Sequence, residues 1–129
     1  MILTADRILT GDPKRVIPDT AVRINEGRIE AIGDPASLKE RFPDDEVKCY
    51  PGASIMPGMI DLHVHFGLLL NPLDTIRPDT AALAAVFSAS RMRETLRNGV
   101  LTVRDSCSGF GIGTALKTAK ARGYIEAPR

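Results

Sequence analysis

The run from Ile55 to Val64 places the tightest limit on what this chain can fold into. It is apolar except at Pro57-Gly58, Asp61 and His63, the pattern of a strand buried on both faces. Such strands belong to parallel sheets, whose neighbours are joined by a crossover, usually a helix. The following residues supply one. Asp79 or Thr80 caps a helix reaching Asn98, with Leu83, Phe87, Met92 and Leu96 among its apolar positions and Gly99 as its stop. Val100 to Asp105 reads as a second short buried strand, and Gly113 to Arg122 as a second helix ended by Gly123. Strand, helix, strand, helix from about residue 55 is the opening of a β/α barrel or of a doubly wound sheet.

Upstream the pattern is mostly β. Ile2 to Leu9 and Thr20 to Ile24 read as strands, Asn25-Glu26-Gly27 as a reversal, and Arg28 to Ile32 as the returning strand that ends at Gly33. Pro35 to Arg41 fits one or two helical turns with proline at the start, and Glu46 to Tyr50 a further strand. The change of character after Pro51-Gly52 divides the chain into residues 1–54 and 55–129. Two βα units cannot close a barrel, which takes eight strands and roughly 250 residues. The C-terminal part is therefore expected to leave sheet edges and apolar helix faces open. The chain reads as a piece of a longer polypeptide, or as one whose partner surface another polypeptide supplies.

Composition excludes several classes. Seventeen Lys and Arg against sixteen Asp and Glu give a net charge of +1, and 43% of the 129 residues are hydrophobic. This is a globular balance with no charged block, so neither nucleic acid nor an anionic membrane is expected as partner. Met1 to Arg15 carries Asp6, Arg7, Asp12, Lys14 and Arg15 in place of a secretory apolar core, and Phe66 to Leu70 is too short an apolar run to span a bilayer. The expectation is a cytoplasmic protein whose Cys49 and Cys107 are reduced structural thiols.

The chemistry lies in Asp61-Leu62-His63-Val64-His65. Residues i and i+2 of a strand share a face, so both imidazoles can reach one cation, and imidazole suits zinc and related divalent metals. Two ligands alone make a weak site, and a histidine satisfied within a core is the alternative. The context favours ligation: these are the only two histidines of the chain, and they fall together at the C-terminal end of a strand that begins a βα series, the end at which barrel active sites sit.

The run Pro57-Gly58-Met59-Ile60-Asp61-Leu62-His63-Val64-His65 resembles the signature that opens the barrel in the metal-dependent amidohydrolase superfamily. The hairpin with Gly27-Arg28-Ile29 and Ile32-Gly33 is similar to the small β-sandwich segment of that family, which C-terminal strands complete. Asn98 to Asp105 resembles the entry to the second barrel strand, and Glu126-Ala127-Pro128-Arg129 the approach to the third. The resemblance implies an α/β fold in which residues 1–54 form part of a composite β-sandwich and residues 55–129 the first two βα units of an incomplete TIM-like (β/α)8 barrel. Thr102-Val103-Arg104-Asp105 looks most like the branch of imidazolonepropionase-like enzymes and prolidase-like Xaa-Pro or Xaa-Arg dipeptidases. Dihydroorotases, hydantoinases and deaminases share parts of the pattern.

What the resemblance implies is a hydrolase of carbon–nitrogen bonds that works through metal-activated water with one or two divalent ions, usually zinc. His63 and His65 would hold the more buried ion. The bridging ligand, two further histidines and a general-base aspartate would lie beyond Arg129, so no residue of this chain is assigned a catalytic or an organic-cofactor role, and the isolated chain is expected to be inactive. The substrate would be a dipeptide, an N-acyl amino acid or a cyclic amide, and the protein partner a second copy of the chain or the rest of the barrel. The competing reading is a catalytically inactive metal-binding or interaction module.

Neighbouring residues have plainer readings. Asp61 is expected in a buried hydrogen bond or behind a ligand histidine, and Arg104 with Asp105 in a local ion pair or helix cap. Cys107 to Gly113 is glycine-rich but lacks a phosphate-loop spacing and is expected to be a flexible βα loop. Phe66 to Pro72 is expected either to line a pocket or to pack in the barrel.

Overall fold

The structure, a computed structural model, describes residues 1–68 and 78–129. The chain divides into two compact units, Met1–Pro57 and Gly58–Arg129.

The first unit is one mixed sheet of β1 (Ile2–Leu9), β2 (Val16–Asn25), β3 (Arg28–Gly33) and β4 (Val47–Ile55), in the order β3-β2-β1-β4. The hairpin between β2 and β3 turns on Glu26 and Gly27, both with positive φ, 48° and 72°. That is the backbone of the tight turns whose twist matches paired strands. The helix α1 (Pro35–Arg41) has the expected bounds, and the Asp34 carboxylate accepts from the Ser37 N–H as its N-cap. Ile2, Ala21 and Leu38 form the core of this unit, with Ala31 and Phe42 against them.

Two strands are longer than expected. β2 begins at Val16, ahead of Thr20, with Pro18 opposite Arg7. β4 runs through Pro51-Gly52 to Ile55, pairing parallel with β1 across a register shift between Ala5 and Arg7. As the end strand of the sheet, β4 tolerates a proline. Gly52 takes φ 76°, and its N–H donates to the Asp6 carboxylate at 3.1 Å, so the irregularity is satisfied locally and the strand continues.

The second unit carries the parallel pair β5 (Met59–Val64) and β6 (Val100–Asp105), joined by α2 (Ala81–Arg97) after a single tight turn at Pro78–Thr80, and followed by α3 (Ile112–Ala121). Gly99 and Gly123 take positive φ, 86° and 73°, just past the two helices, as the stop signals required. Phe66, Ala84, Met92, Ile112, Leu116 and Ala127 form the core. Past α3 the backbone returns to the sheet: Arg129 N–H donates to Leu101 O, and Val103 N–H to Arg129 O, both at 2.8 Å. Those two bonds are one parallel bridge of Arg129 to Thr102 on the side of β6 away from β5. The expected α/β class is thus present as a β segment and two βα units, and no closed barrel exists among the described residues.

The burial expected of the two strands is not found. β5 is exposed from Met59 to His63, with Ile60 and Leu62 at 62% and 66%, and β6 is at most half-buried. A strand is buried on both faces only where both are covered. Within this unit only the C-terminal end of β5, at Val64, joins the core. The buried stripe of α2 keeps the expected Met92 but takes Ala84 and Ser88 in place of their large neighbours: Leu83 is 62% exposed. Small side chains at 84 and 88 let the helix lie close to Phe66, and the fully buried Ser88 hydroxyl reaches the Phe66 and Ala84 carbonyls.

Candidate metal centre

β5 delivers the two histidines. His63 lies on the strand and His65 one residue past its end, on the same side by the two-residue repeat. Their Nε2 atoms stand 3.0 Å apart, with ring centroids at 4.9 Å and planes at 72°. Two imidazole nitrogens on a tetrahedral zinc, each at about 2.0–2.1 Å, would be separated by about 3.3 Å. The pair therefore converges as half of a ligand set would. Among the described residues no group of three or more His, Cys, Asp or Glu is gathered around it.

Asp61 is exposed, and its carboxylate accepts from the His63 backbone N–H at 3.0 Å. The expected buried bond is therefore a surface one, local to the strand, where it holds the backbone that carries His63. The Nδ1 of His65 faces the Cys107 carbonyl at 3.4 Å. Cys107 and Cys49 are both free and exposed, which corrects the expectation of structural thiols.

The loop after β6 is pinned to the end of β5. Ser106 N–H donates to Val64 O at 2.9 Å, and Gly67 N–H to Ser108 Oγ at 3.1 Å. The Asp105 carboxylate accepts from the Cys107 N–H at 3.2 Å and from the Ser108 hydroxyl. Asp105 thus organises the loop in place of the expected ion pair or helix cap. Among the described residues Arg104 reaches Leu62 O and Ser106 Oγ, each at 3.5 Å. Phe66, expected to line a pocket or to pack, is in the core at 3% exposure; Leu69 to Pro72 of that expectation lie outside the described residues. A cavity of about 800 Å³ runs beside β6 and α3, lined by Thr102, Asp105, Ser108, Thr114 and Lys117 among others, and leaves the histidines outside its wall. Sequence reading missed Cys107, Ser108, Gly67 and Ser88. Two of these act through backbone atoms and two through hydroxyls in small-residue stretches, none of which a motif marks.

The sequence profile described as the Amidohydrolase family matches residues 54–127. The chain belongs to the amidohydrolase family. It is 37% identical over 70 residues to a 5-methylthioadenosine/S-adenosylhomocysteine deaminase of Nitratidesulfovibrio vulgaris (strain DP4), a match covering 54% of this chain and 16% of that protein. It is similar over 100% of its length to a prolidase complexed with N-methylphosphonate-L-proline, at 25% identity and TM-score 0.67, covering 31% of that chain. A Xaa-Pro dipeptidase with methionine bound in its active site shares the fold over 99% of this chain and 31% of its own, at TM-score 0.75 and 20% identity. The chain thus spans less than a third of each relative. Members of this superfamily are generally metal-dependent, and among the described residues no helix is long and apolar enough to cross a membrane.

Proposed function

We propose that this chain is the metal-anchoring opening segment of a hydrolase that breaks carbon–nitrogen bonds in a small amide substrate, a dipeptide or an N-acyl amino acid. The observation that carries the reading is the 3.0 Å convergence of the His63 and His65 Nε2 atoms at the end of β5, in a chain of the amidohydrolase family. A divalent ion, zinc by the chemistry of two imidazoles, supplies Lewis-acid polarisation of the scissile carbonyl and acidifies water when bound. His63 and His65 would contribute two imidazole nitrogen donors from the end of β5. Asp61 holds the His63 backbone, and the Cys107 carbonyl faces the far nitrogen of His65. The remaining ligands and the proton acceptor come from outside these 129 residues, on further barrel strands. The units 1–54 and 55–129 are read as part of a composite β-sandwich and as the barrel opening. Two exposed free thiols support a reducing, cytoplasmic setting.

A second reading, deamination, is favoured by the 37% identity to the deaminase. Both reactions expel nitrogen from a trigonal carbon attacked by water, so the two differ in substrate and not in the role of the histidines. Whole-chain similarity at 24–25% identity is shared by a prolidase and by adenine deaminases, so the amide reading is separated from deamination by substrate turnover.

The test is zinc content of the longer protein and of this chain by elemental analysis, with His63→Ala/His65→Ala controls. Stoichiometric zinc in the longer protein that falls in the double variant is expected; histidine-independent zinc, or none, in that protein overturns the reading. Proline release from Xaa-Pro dipeptides against ammonia release from adenosine derivatives then separates the two substrate classes.

A further inference from the structure

The metal pair is only as well placed as the ring of His65, and groups of the loop after β6 hold that ring. Neutral imidazole carries one N–H, and a carbonyl oxygen only accepts. The 3.4 Å contact of His65 Nδ1 with Cys107 O therefore forms only when Nδ1 bears the proton. His65 Nε2 is then an acceptor, and the 3.0 Å contact between the rings is a donation from His63 Nε2–H. One assignment satisfies both contacts: it turns the Nε2 lone pair of His65 toward His63, where a cation held by both rings would displace the His63 Nε2 proton.

A separation of 3.4 Å is near the outer limit for an N–H···O bond, so a few tenths of an ångström in the position of Cys107 decide whether it exists. That position has a single hub. One Asp105 oxygen takes the Cys107 N–H, the other takes the Ser108 hydroxyl, and Ser108 Oγ in turn takes the N–H of Gly67, two residues past His65. We propose that Asp105 is the positioning residue that keeps His65 in its Nδ1–H tautomer, through the Cys107 carbonyl and the Ser108 hydroxyl. Its meaning for metal binding rests on the ligand reading above, whereas the hydrogen-bond circuit stands apart from it. A carbonyl that orients the outer nitrogen of a ligand histidine tunes both ring direction and donor strength.

The experiment is long-range proton–nitrogen correlation NMR of the ¹⁵N-labelled, metal-free chain at alkaline pH, which tells a protonated ring nitrogen from a bare one. Urea midpoints and zinc affinity by chelator competition are measured in parallel. In the unsubstituted chain His65 is expected as the Nδ1–H tautomer. Asp105→Ala is expected to give a mixture of tautomers and zinc affinity weaker by roughly 10–100-fold. Asp105→Asn, which keeps an acceptor for the Cys107 N–H, restores part of both, and Cys107→Ala changes neither, because the carbonyl is backbone. An Nε2–H tautomer in the unsubstituted chain overturns the proposal, as does an unchanged tautomer in Asp105→Ala whatever its urea midpoint. If Asp105→Ala does not fold, an unchanged tautomer in Ser108→Ala overturns it equally. A tautomer that depends on Asp105, with zinc in the longer protein that does not depend on His63 and His65, would refute the metal reading and leave the positioning role standing.

Discussion

At Gly67 the missing side chain is the structural requirement. A β-carbon there would lie 2.8 Å from the Ser108 Cβ and Oγ and 3.0 Å from its Cα, so backbone as well as side chain would have to move. Gly67→Ala is therefore expected to lower stability by about 1–3 kcal/mol, as overpacking does. A urea midpoint that does not move would show that the loop yields freely. In the first unit the comparable residue is Asp45, whose carboxylate meets the Arg23 Nε at 2.7 Å and the Met1 ammonium at 3.1 Å. The Arg23 hydrogen bond, ahead of that of the ammonium, holds the Asp45 carboxyl below the usual carboxylate range. A carboxyl depressed on folding contributes stability that is present above its unfolded value, about 3.9, and is lost as pH falls through the lower folded value. Asp45→Asn is expected to flatten that acid limb; an unaltered fall in urea midpoint between about pH 6 and about pH 3 would assign the limb to other carboxylates.

At the scale of elements, α2 shows how a helix chooses its face. Its large apolar residues suggested Leu83 as an inward position, yet Leu83 and Val86 are exposed at 62% and 71% while Ala84, Ser88 and Met92 are buried. Close approach to the Phe66 segment selects small residues, a requirement that periodicity in hydrophobicity does not express. Met92→Ala is expected to cost about 2–5 kcal/mol. Leu83→Gln is expected to stay within about 0.5 kcal/mol. Equal costs in thermal or urea unfolding would mean that Leu83 is covered in solution. The bounds of α1, by contrast, were legible, because its signals are local: Asp34 caps, Pro35 starts, and Phe42 closes the last turn onto Leu38 O. The extension of β4 past Pro51-Gly52 was not legible, since it depends on Asp6, 46 residues away in sequence.

For the whole molecule, the 129 residues by themselves are expected to release no proline from Xaa-Pro dipeptides and no ammonia from adenosine derivatives, because two imidazoles neither complete a ligand set nor accept the proton of attacking water. Turnover by the purified chain alone would sink the proposal that the other ligands lie elsewhere. The alternation of strand and helix, which begins at Met59 because Ile55 still belongs to β4, and the placing of His63 beside His65 were determined by sequence alone, since each follows from periodicity, turn chemistry or spacing within about ten residues. The tertiary structure decided which face of α2 is buried, how little of β5 is covered, and that Asp105, Cys107 and Ser108 meet the end of β5. Those outcomes depend on contacts across some 40 residues and on backbone donors and acceptors, which every residue but proline carries alike and which no residue type announces.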